Sequence, residues 1–249
     1  MKYFTLEICI DSVESAIIAQ NNNADRVELC ANLLEGGTTP SYGMLLATRA
    51  EIDIEIALMI RPRGGDFCYS ELEFDVMKQD IIIGRELDVD CFVFGILLPN
   101  GNIDVARTKE LVELAKPRET TFHRAFDLTP DPFQALEDVI ATGADRILTS
   151  GLQQKAIEGK QLIKELIIAA NNRISIMPGS GVNLANRDEL LNFTQAKELH
   201  MTAFTQIEGE MKFRPDHINM SSSKKITDYQ INVADPNIIH DMKKKKSIH

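Results

Sequence analysis

Short runs that alternate apolar and polar residues recur along the chain and are separated by longer helical patterns. The first run, Tyr3–Ile10, has the alternation of a β-strand, because successive side chains of a strand point to opposite faces. Phe4, Leu6, Ile8 and Ile10 form its apolar face, and Thr5, Glu7 and Cys9 form its polar face. We expect the apolar face to pack against helices and the polar face to point into a cavity.

Seven further strands follow with helical patterns between them. The eight predicted strands are Tyr3–Ile10, Arg26–Cys30, Ile54–Arg61, Cys91–Ile96, Thr120–Asp127, Arg146–Thr149, Arg173–Met177 and Glu198–Met201. Repeated strand–helix units specify a parallel sheet, and eight of them predict an α/β fold of the (β/α)₈ (TIM) barrel type.

One domain is expected to cover residues 1–249. The segment 205–234 is polar and is predicted to be an irregular insertion before the last helix, which Asp235 caps and Pro236 begins. At the start of the chain, Asp11 is the predicted cap of the first helix, with Glu14 completing a capping box.

Composition excludes several classes of partner. The net charge is −10 and the isoelectric point is about 5.0, which argues against nucleic acid and anionic membranes as partners. No apolar run approaches the ~18 residues of a membrane span, and no signal peptide is evident. The four cysteines form no Cys-x-x-Cys pair, so free thiols and a cytoplasmic location are expected.

The fifth strand carries the most unusual pattern. Alternation places Thr121, His123, Ala125 and Asp127 on its inner face, and Phe122, Arg124 and Phe126 on its outer face. A purely structural strand would have aliphatic residues inside, whereas this one presents an imidazole and a carboxylate. The strand therefore predicts a functional site at the carboxyl ends of the barrel strands, where TIM barrels carry their chemistry.

Six inward-facing residues are candidates for catalysis by acid–base chemistry. They are Glu7, Glu28, Arg61, His123, Asp127 and His200. Buried charges need partners, and we expect Arg61 to pair with Glu7 or Glu28 and the histidines to pair with a carboxylate. The alternative is that each histidine is a satisfied core residue with no chemical role.

A second set of candidates follows strands six and seven. Ser150 ends strand six, and Gly179, Ser180 and Gly181 follow strand seven. Backbone N–H groups in such a loop bind the phosphate of a ligand in many barrels. A Gly-x-Gly turn is also common without any ligand, so both interpretations remain open.

Cys9 and Cys30 form a third set. Each follows an inward glutamate by two residues, and the two strands are neighbours, so we expect the sulfurs at one height and within reach of one soft ion. Two thiolates suit Cu(I) better than Zn²⁺, which prefers four ligands. The alternative is that both cysteines are buried as small apolar residues.

Several motifs together resemble the CutC family of copper homeostasis proteins. They are Glu7-Ile8-Cys9, Ala24-Asp25-Arg26-Val27-Glu28-Leu29-Cys30, Arg61-Pro62-Arg63-Gly64-Gly65-Asp66-Phe67, Thr121-Phe122-His123-Arg124-Ala125-Phe126-Asp127 and Met177-Pro178-Gly179. The resemblance covers nearly the whole chain. One departure lies in strand eight, where Phe204 stands in place of the family's usual arginine.

The resemblance implies a TIM barrel, a cytoplasmic location, a homodimer or homotetramer, and a role in copper homeostasis with copper bound at Cys9 and Cys30. We therefore expect a cytosolic protein that binds Cu(I). The alternative is an enzyme that acts on a small anionic or phosphorylated metabolite by general acid–base chemistry. The sequence leaves enzymatic activity open.

Overall fold

The eight predicted strands form a barrel in a computed structural model, which describes residues 4–215, 217, 218, 220 and 228–244. The barrel strands are β1 (Thr5–Ile10), β2 (Arg26–Leu29), β3 (Glu55–Met59), β4 (Cys91–Phe94), β5 (Glu119–Phe122), β6 (Arg146–Thr149), β7 (Ser175–Pro178) and β8 (Glu198–Thr202). All of their pairings are parallel. The predicted (β/α)₈ fold is confirmed.

The strands follow the order β7-β6-β5-β4-β3-β2-β1-β8 around the barrel. Strands β7 and β8 are therefore neighbours at the point where the sheet closes. Within the described part of the chain, no backbone ladder joins these two strands. A side-chain hydrogen bond crosses this seam from the Ser175 hydroxyl to Glu198 Oε1 at 2.7 Å.

The predicted alternation of faces is visible as two separate apolar clusters. Leu6, Ile8 and Ile10 belong to the large cluster between the strands and the helices. Cys9 and Cys30 belong to a small cluster inside the barrel, together with residues of β3 and β4. The interior also holds buried polar side chains, among them Glu7, Arg26 and Glu28.

Eight helices surround the barrel in the described part of the chain. They are α1 (Val13–Asn21), α2 (Tyr42–Glu51), α3 (Glu71–Glu86), α4 (Val105–Ala115), α5 (Pro132–Thr142), α6 (Lys160–Ala170), α7 (Arg187–Thr194) and α8 (Pro236–Lys243). The N-cap of α1 is Ser12, whose side chain accepts a hydrogen bond from the Ser15 backbone N–H, so the predicted Asp11 cap is wrong. Asp235 caps α8 as predicted, with Pro236 at the first position.

The segment 205–234 contains regular structure at both ends. Strands β9 (Phe204–Glu208) and β10 (Gln230–Ala234) pair as an antiparallel hairpin, in contrast to the irregular structure expected there. Residues 216, 219 and 221–227 of this segment lie outside the described residues. The hairpin leads directly into α8.

Strand β5 is shorter than predicted. It ends at Phe122, and a 3₁₀ helix spans Arg124–Leu128. The turn begins at His123, whose side chain accepts a hydrogen bond from the backbone N–H of Ala125. The strict alternation predicted up to Asp127 is therefore wrong beyond Phe122, because the backbone changes from extended to helical.

Candidate functional site

A cavity of about 460 Å³ opens at the carboxyl ends of the barrel strands. Its lining includes side chains or loops from most of the strands. The polar and aromatic residues that line it are Cys9, Glu28, Glu35, Arg61, Phe67, His123, Arg124, Asp127, Ser180, His200 and Thr202. The structure therefore gathers predicted residues that lie far apart in the sequence into one cavity.

Beneath the cavity lies a network of buried ion pairs at the start of the strands. Arg26 contacts Glu7 through Nε and donates from Nη2 to Glu198 Oε2 at 2.7 Å. Arg146 reaches the same Glu198 oxygen at 2.7 Å and Glu119 at 2.9 Å. Each arginine thus faces at least one carboxylate, which compensates for the burial of its charge. This network forms the floor of the site.

Glu7 connects this floor to the cavity through His200. The distance between Glu7 Oε1 and His200 Nδ1 is 2.6 Å, and His200 Nε2 lies 3.9 Å from Glu28 Oε2. Burial disfavours the charged form of Glu7, but Arg26 and His200 together hold its pKa well below the ordinary value. Burial also opposes a charged His200, yet Glu28, Cys9 and Glu7 raise its pKa well above the ordinary value. The prediction that this histidine pairs with a carboxylate is confirmed.

The two cysteines meet beside Glu28. Cys9 Sγ and Cys30 Sγ are 4.0 Å apart, and Cys30 Sγ lies 3.4 Å from Glu28 Oε2. One donor atom from each of these three residues lies within 4.8 Å of the other two. The expectation of equal height is wrong, because Cys9 aligns with Glu28 in the β1–β2 register and Cys30 lies two residues further on.

The ionisation of this cluster is asymmetric. The hydrogen bond with Cys30 lowers the pKa of the Cys9 thiol to about 6, against the effect of burial. The same contact and burial raise the pKa of Cys30 well above its ordinary value. Burial, with the nearby Cys9, likewise raises the pKa of Glu28. The Cys9 thiol therefore loses its proton more readily than Cys30, and Glu28 holds its proton more strongly than an ordinary carboxyl group.

Arg61 does not pair with Glu7 or Glu28, and that prediction is wrong. Its Nη1 donates to the backbone carbonyl oxygens of Glu35 at 2.7 Å and Gly37 at 2.8 Å, and its Nη2 donates to that of Gly65 at 2.9 Å. These acceptors lie on the two loops that follow β2 and β3. Arg61 thus links the two loops. None of these contacts pairs its positive charge with a carboxylate.

His123 and Arg61 both contact the ring of Phe67. The Phe67 ring centroid lies 4.9 Å from the imidazole centroid and 5.0 Å from the Arg61 guanidinium carbon. Burial, and then the charge of Arg61, lower the pKa of His123 to about 3. We expected a carboxylate partner for this histidine, and the described residues provide none within a salt-bridge distance. The imidazole is neutral.

Asp127 lines the cavity, but its carboxylate is occupied by the loop that follows β6. It accepts hydrogen bonds from the backbone N–H of Ser150 at 3.0 Å, from the Ser150 hydroxyl at 2.8 Å and from the Leu152 N–H at 3.2 Å. Arg124 Nε donates to it at 2.8 Å. The arrangement fits a loop anchor, and Ser150 is itself tied into it.

The predicted phosphate-binding residues after β7 differ in their surroundings. Ser180 and Gly181 line the cavity and both have a positive φ, of 74° and 68°. Gly179 packs so tightly that an added Cβ would lie 2.4 Å from Leu148 Cδ1 and 3.3 Å from His200 Cδ2. Gly179 therefore allows β7 to approach β8, while the two residues after it border the cavity.

Two contributors to the site could not be found by strand alternation. Phe67 lies in the Gly-rich loop after β3 and contacts both Arg61 and His123. Arg124 was assigned to the outer face of β5 and in fact lines the cavity, because the 3₁₀ turn reverses its direction. The density of glycine and charge around Phe67 was the only available signal.

Comparison with known proteins decides the family. The CutC family profile matches residues 4–205. The chain belongs to the CutC family. A mouse (Mus musculus) copper homeostasis protein cutC homolog is 45% identical over 232 residues, covering 93% of this chain and 85% of the relative. A CutC family protein from Chromobacterium violaceum is 48% identical over 218 residues, covering 88% of each chain.

Solved structures agree with this assignment. The crystal structure of CutC from Streptococcus agalactiae superposes with a TM-score of 0.76 at 38% identity, covering 80% of this chain and 98% of that chain. A phosphoribosylanthranilate isomerase from Pyrococcus furiosus has a TM-score of 0.55 at 12% identity over 97% of both chains, and this likeness extends to the fold alone. Among the described residues, no helix has the length and apolar character that a bilayer span requires.

Proposed function

We propose that this CutC family member binds Cu(I) in the cytosol through the thiolates of Cys9 and Cys30. The observation that carries the proposal is the 4.0 Å separation of the two sulfurs, of which Cys9 lines the cavity. Metal–thiolate bonds are about 2.3 Å long, so two sulfurs that share one ion lie up to about 4.6 Å apart. Soft sulfur ligands select Cu(I) over harder ions.

The donor set fits such an ion. Cys9 is already a thiolate near neutral pH, since its pKa is lowered to about 6, and Glu28 has one carboxyl oxygen without a hydrogen-bond partner in the described structure. Glu28 is thus placed to act as a weak third ligand. All four cysteines are free, as is usual in reducing compartments. The copper homeostasis names of the mouse and human relatives agree with this function.

A competition titration against a chromophoric Cu(I) chelator tests the proposal. We expect one Cu(I) per chain, and loss of binding in Cys9→Ser and in Cys30→Ser. Because Cys30 is a thiol before it binds, copper binding near neutral pH should release about one proton, measurable in weakly buffered solution.

Cys91→Ser is the matched control. Cys91 is equally buried in the same interior cluster, but its sulfur contacts Thr121 rather than the pair. Unchanged Cu(I) binding in the double variant Cys9→Ser/Cys30→Ser would reject these ligands. Equal loss of binding in the Cys91 variant would show that the effect is structural.

A second function is favoured by the size of the cavity. A volume of about 460 Å³ is far larger than one ion needs and lies in the range of small-molecule sites. We propose as the alternative an enzyme for a small organic anion, with Glu28, whose pKa burial raises, as general acid and the Ser180–Gly181 backbone as a phosphate-binding element. Thermal-shift screening against small organic anions tests it. A ligand that stabilises the wild type and not Glu28→Gln supports it, and equal stabilisation of the two argues against Glu28.

The homodimer or homotetramer expected from the resemblance remains a prediction. Light scattering of the purified chain, with and without Cu(I), measures it directly.

A further inference from the structure

Two unpaired donors lie on one side of the cavity, away from the cysteines. The Nε atom of Arg61 and the Nε2 atom of His123 are buried and have no hydrogen-bond partner among the described residues. Both side chains line the cavity, and each is only 4% exposed. A buried donor without an acceptor costs free energy, so a ligand that accepts hydrogen bonds from these atoms would gain binding free energy.

The tautomer of His123 follows from its backbone contact. Its Nδ1 accepts a hydrogen bond from the backbone N–H of Ala125 at 3.2 Å, so Nδ1 carries no proton. The proton of the neutral ring is therefore on Nε2, which makes Nε2 a donor. The ring cannot turn easily, because an added Cβ at Gly95 would lie 2.6 Å from Nδ1 and Phe122 packs edge-on against the ring.

Arg61 supplies the positive charge of the pair. Its other two nitrogens donate to backbone carbonyl oxygens, and among the described residues no carboxylate forms a salt bridge with it. A buried cation of this kind is normally compensated by an anion. The Phe67 ring contacts both Arg61 and His123, and all three side chains line the same cavity.

We propose that Arg61 and His123 form a subsite for the carboxylate group of a small organic acid, with Phe67 beside both of them. One positive charge and two N–H donors match one carboxylate, which has a single negative charge and two oxygens. A phosphate would bring more charge and three terminal oxygens to the same two donors. This subsite deepens the enzyme alternative above, on which it rests, and is independent of copper binding.

The role of His123 differs from that of a general acid or base. A neutral imidazole that donates from Nε2 stabilises negative charge on a ligand oxygen, and it does so without a change of protonation. His123 is a binding group in this scheme, and any proton transfer falls to the groups across the cavity.

Nuclear magnetic resonance and calorimetry with pyruvate as the probe test the subsite, with inorganic phosphate as the comparison. At about pH 7 we expect the ¹⁵N shifts of His123 to show the Nε2–H tautomer and pyruvate to move the Nε2 signal. Arg61→Met and His123→Asn should each weaken pyruvate binding about 10-fold or more, the effect of losing a hydrogen bond to a charged group.

Conservative variants separate binding from folding. His123→Gln carries a donor near the position of Nε2 and should bind within about threefold of the wild type, whereas His123→Asn keeps only the acceptor for Ala125. Arg63→Met is the matched control for Arg61→Met, because Arg63 lies in the same loop but pairs with Glu73 and does not line the cavity. Phe67→Ala removes the ring beside the two donors but keeps both donors, so it should bind pyruvate at least as tightly as the wild type.

Several results would overturn the proposal. They are an Nδ1–H tautomer, no binding of pyruvate to wild type or Phe67→Ala, equal binding in Arg61→Met, or phosphate binding that exceeds and displaces pyruvate. Pyruvate binding without any turnover would leave the subsite in place and count against the enzyme alternative. Unchanged Cu(I) binding in Arg61→Met would show that the results for pyruvate binding and turnover do not depend on the copper site.

Discussion

The buried charges under the cavity lead to a quantitative prediction for Arg26→Met. Arg26 is 2% exposed and bridges Glu7, which is 1% exposed, to Glu198. Methionine has a similar length but no charge, so the substitution leaves both carboxylates with fewer partners. Arg146 still holds Glu198, whereas among the described residues Glu7 keeps a side-chain hydrogen bond with His200 alone.

The expected cost is large because the remaining partners are buried. Breaking a buried ion pair by removing one member typically costs about 3–5 kcal/mol. For a chain of this length each kcal/mol lowers the melting temperature by about 2–4 °C, so the expected decrease is roughly 6–20 °C. Loss of Arg26 also leaves burial to dominate at Glu7, and the pKa of this carboxyl group rises.

The pH dependence gives a second, independent check. In the wild type the pKa of Glu7 is held below its ordinary value of 4.5, so its contribution to stability is present above that pH and is lost as the pH falls below it. In Arg26→Met the pKa of Glu7 is raised, so protonation relieves the buried charge as the pH falls. The difference in unfolding free energy between the two proteins should therefore shrink from about pH 7 to about pH 5.

Urea unfolding followed by circular dichroism, at several pH values, measures this difference. Arg173→Met is the control, because Arg173 pairs with Glu137 on the surface and its loss should leave stability nearly unchanged. The reasoning is refuted if Arg26→Met is as stable as the control, or if its deficit is the same at both ends of the pH range.

Two further predictions concern the loops that border the cavity. Asp127→Asn should lower the free energy of unfolding by about 2 kcal/mol, because an amide nitrogen cannot accept hydrogen bonds from the N–H groups that hold the loop at Leu152. A lower melting temperature with unchanged Cu(I) binding would show that Asp127 anchors the loop and is not a metal ligand. Gly179→Ala should cost about 1–3 kcal/mol by crowding Leu148 and pushing on His200, and a stability unchanged from the wild type would show that β7 has room to shift.

The sequence was sufficient for the barrel because period-two alternation is a local property. The polar set of β1 and the Glu-x-Cys end of β2 are inside the barrel as alternation requires, and their apolar neighbours pack under the helices. The position of His200 opposite Glu7 also follows once β1 and β8 pair in parallel.

The failures occurred where the backbone leaves the strand. Alternation could not show that β5 ends at Phe122, since the turn depends on the hydrogen bond between His123 and Ala125. The partners of Arg61 were also out of reach, because carbonyl oxygens carry no signature in the residue type. The charge of Arg61 predicts a carboxylate partner, whereas its acceptors are backbone carbonyl oxygens of two loops.

The seam between β7 and β8 has a consequence for how the molecule opens. Among the described residues, β8 forms a backbone ladder with β1 and none with β7, so packing and the Ser175–Glu198 side-chain contact hold its other edge. We expect deuterium to enter the β7-facing amides of β8 before those that face β1. His200 lies on β8 and connects the buried ion pairs to the cysteine cluster. Local opening of the β7–β8 seam would therefore expose this end of the barrel interior to solvent first.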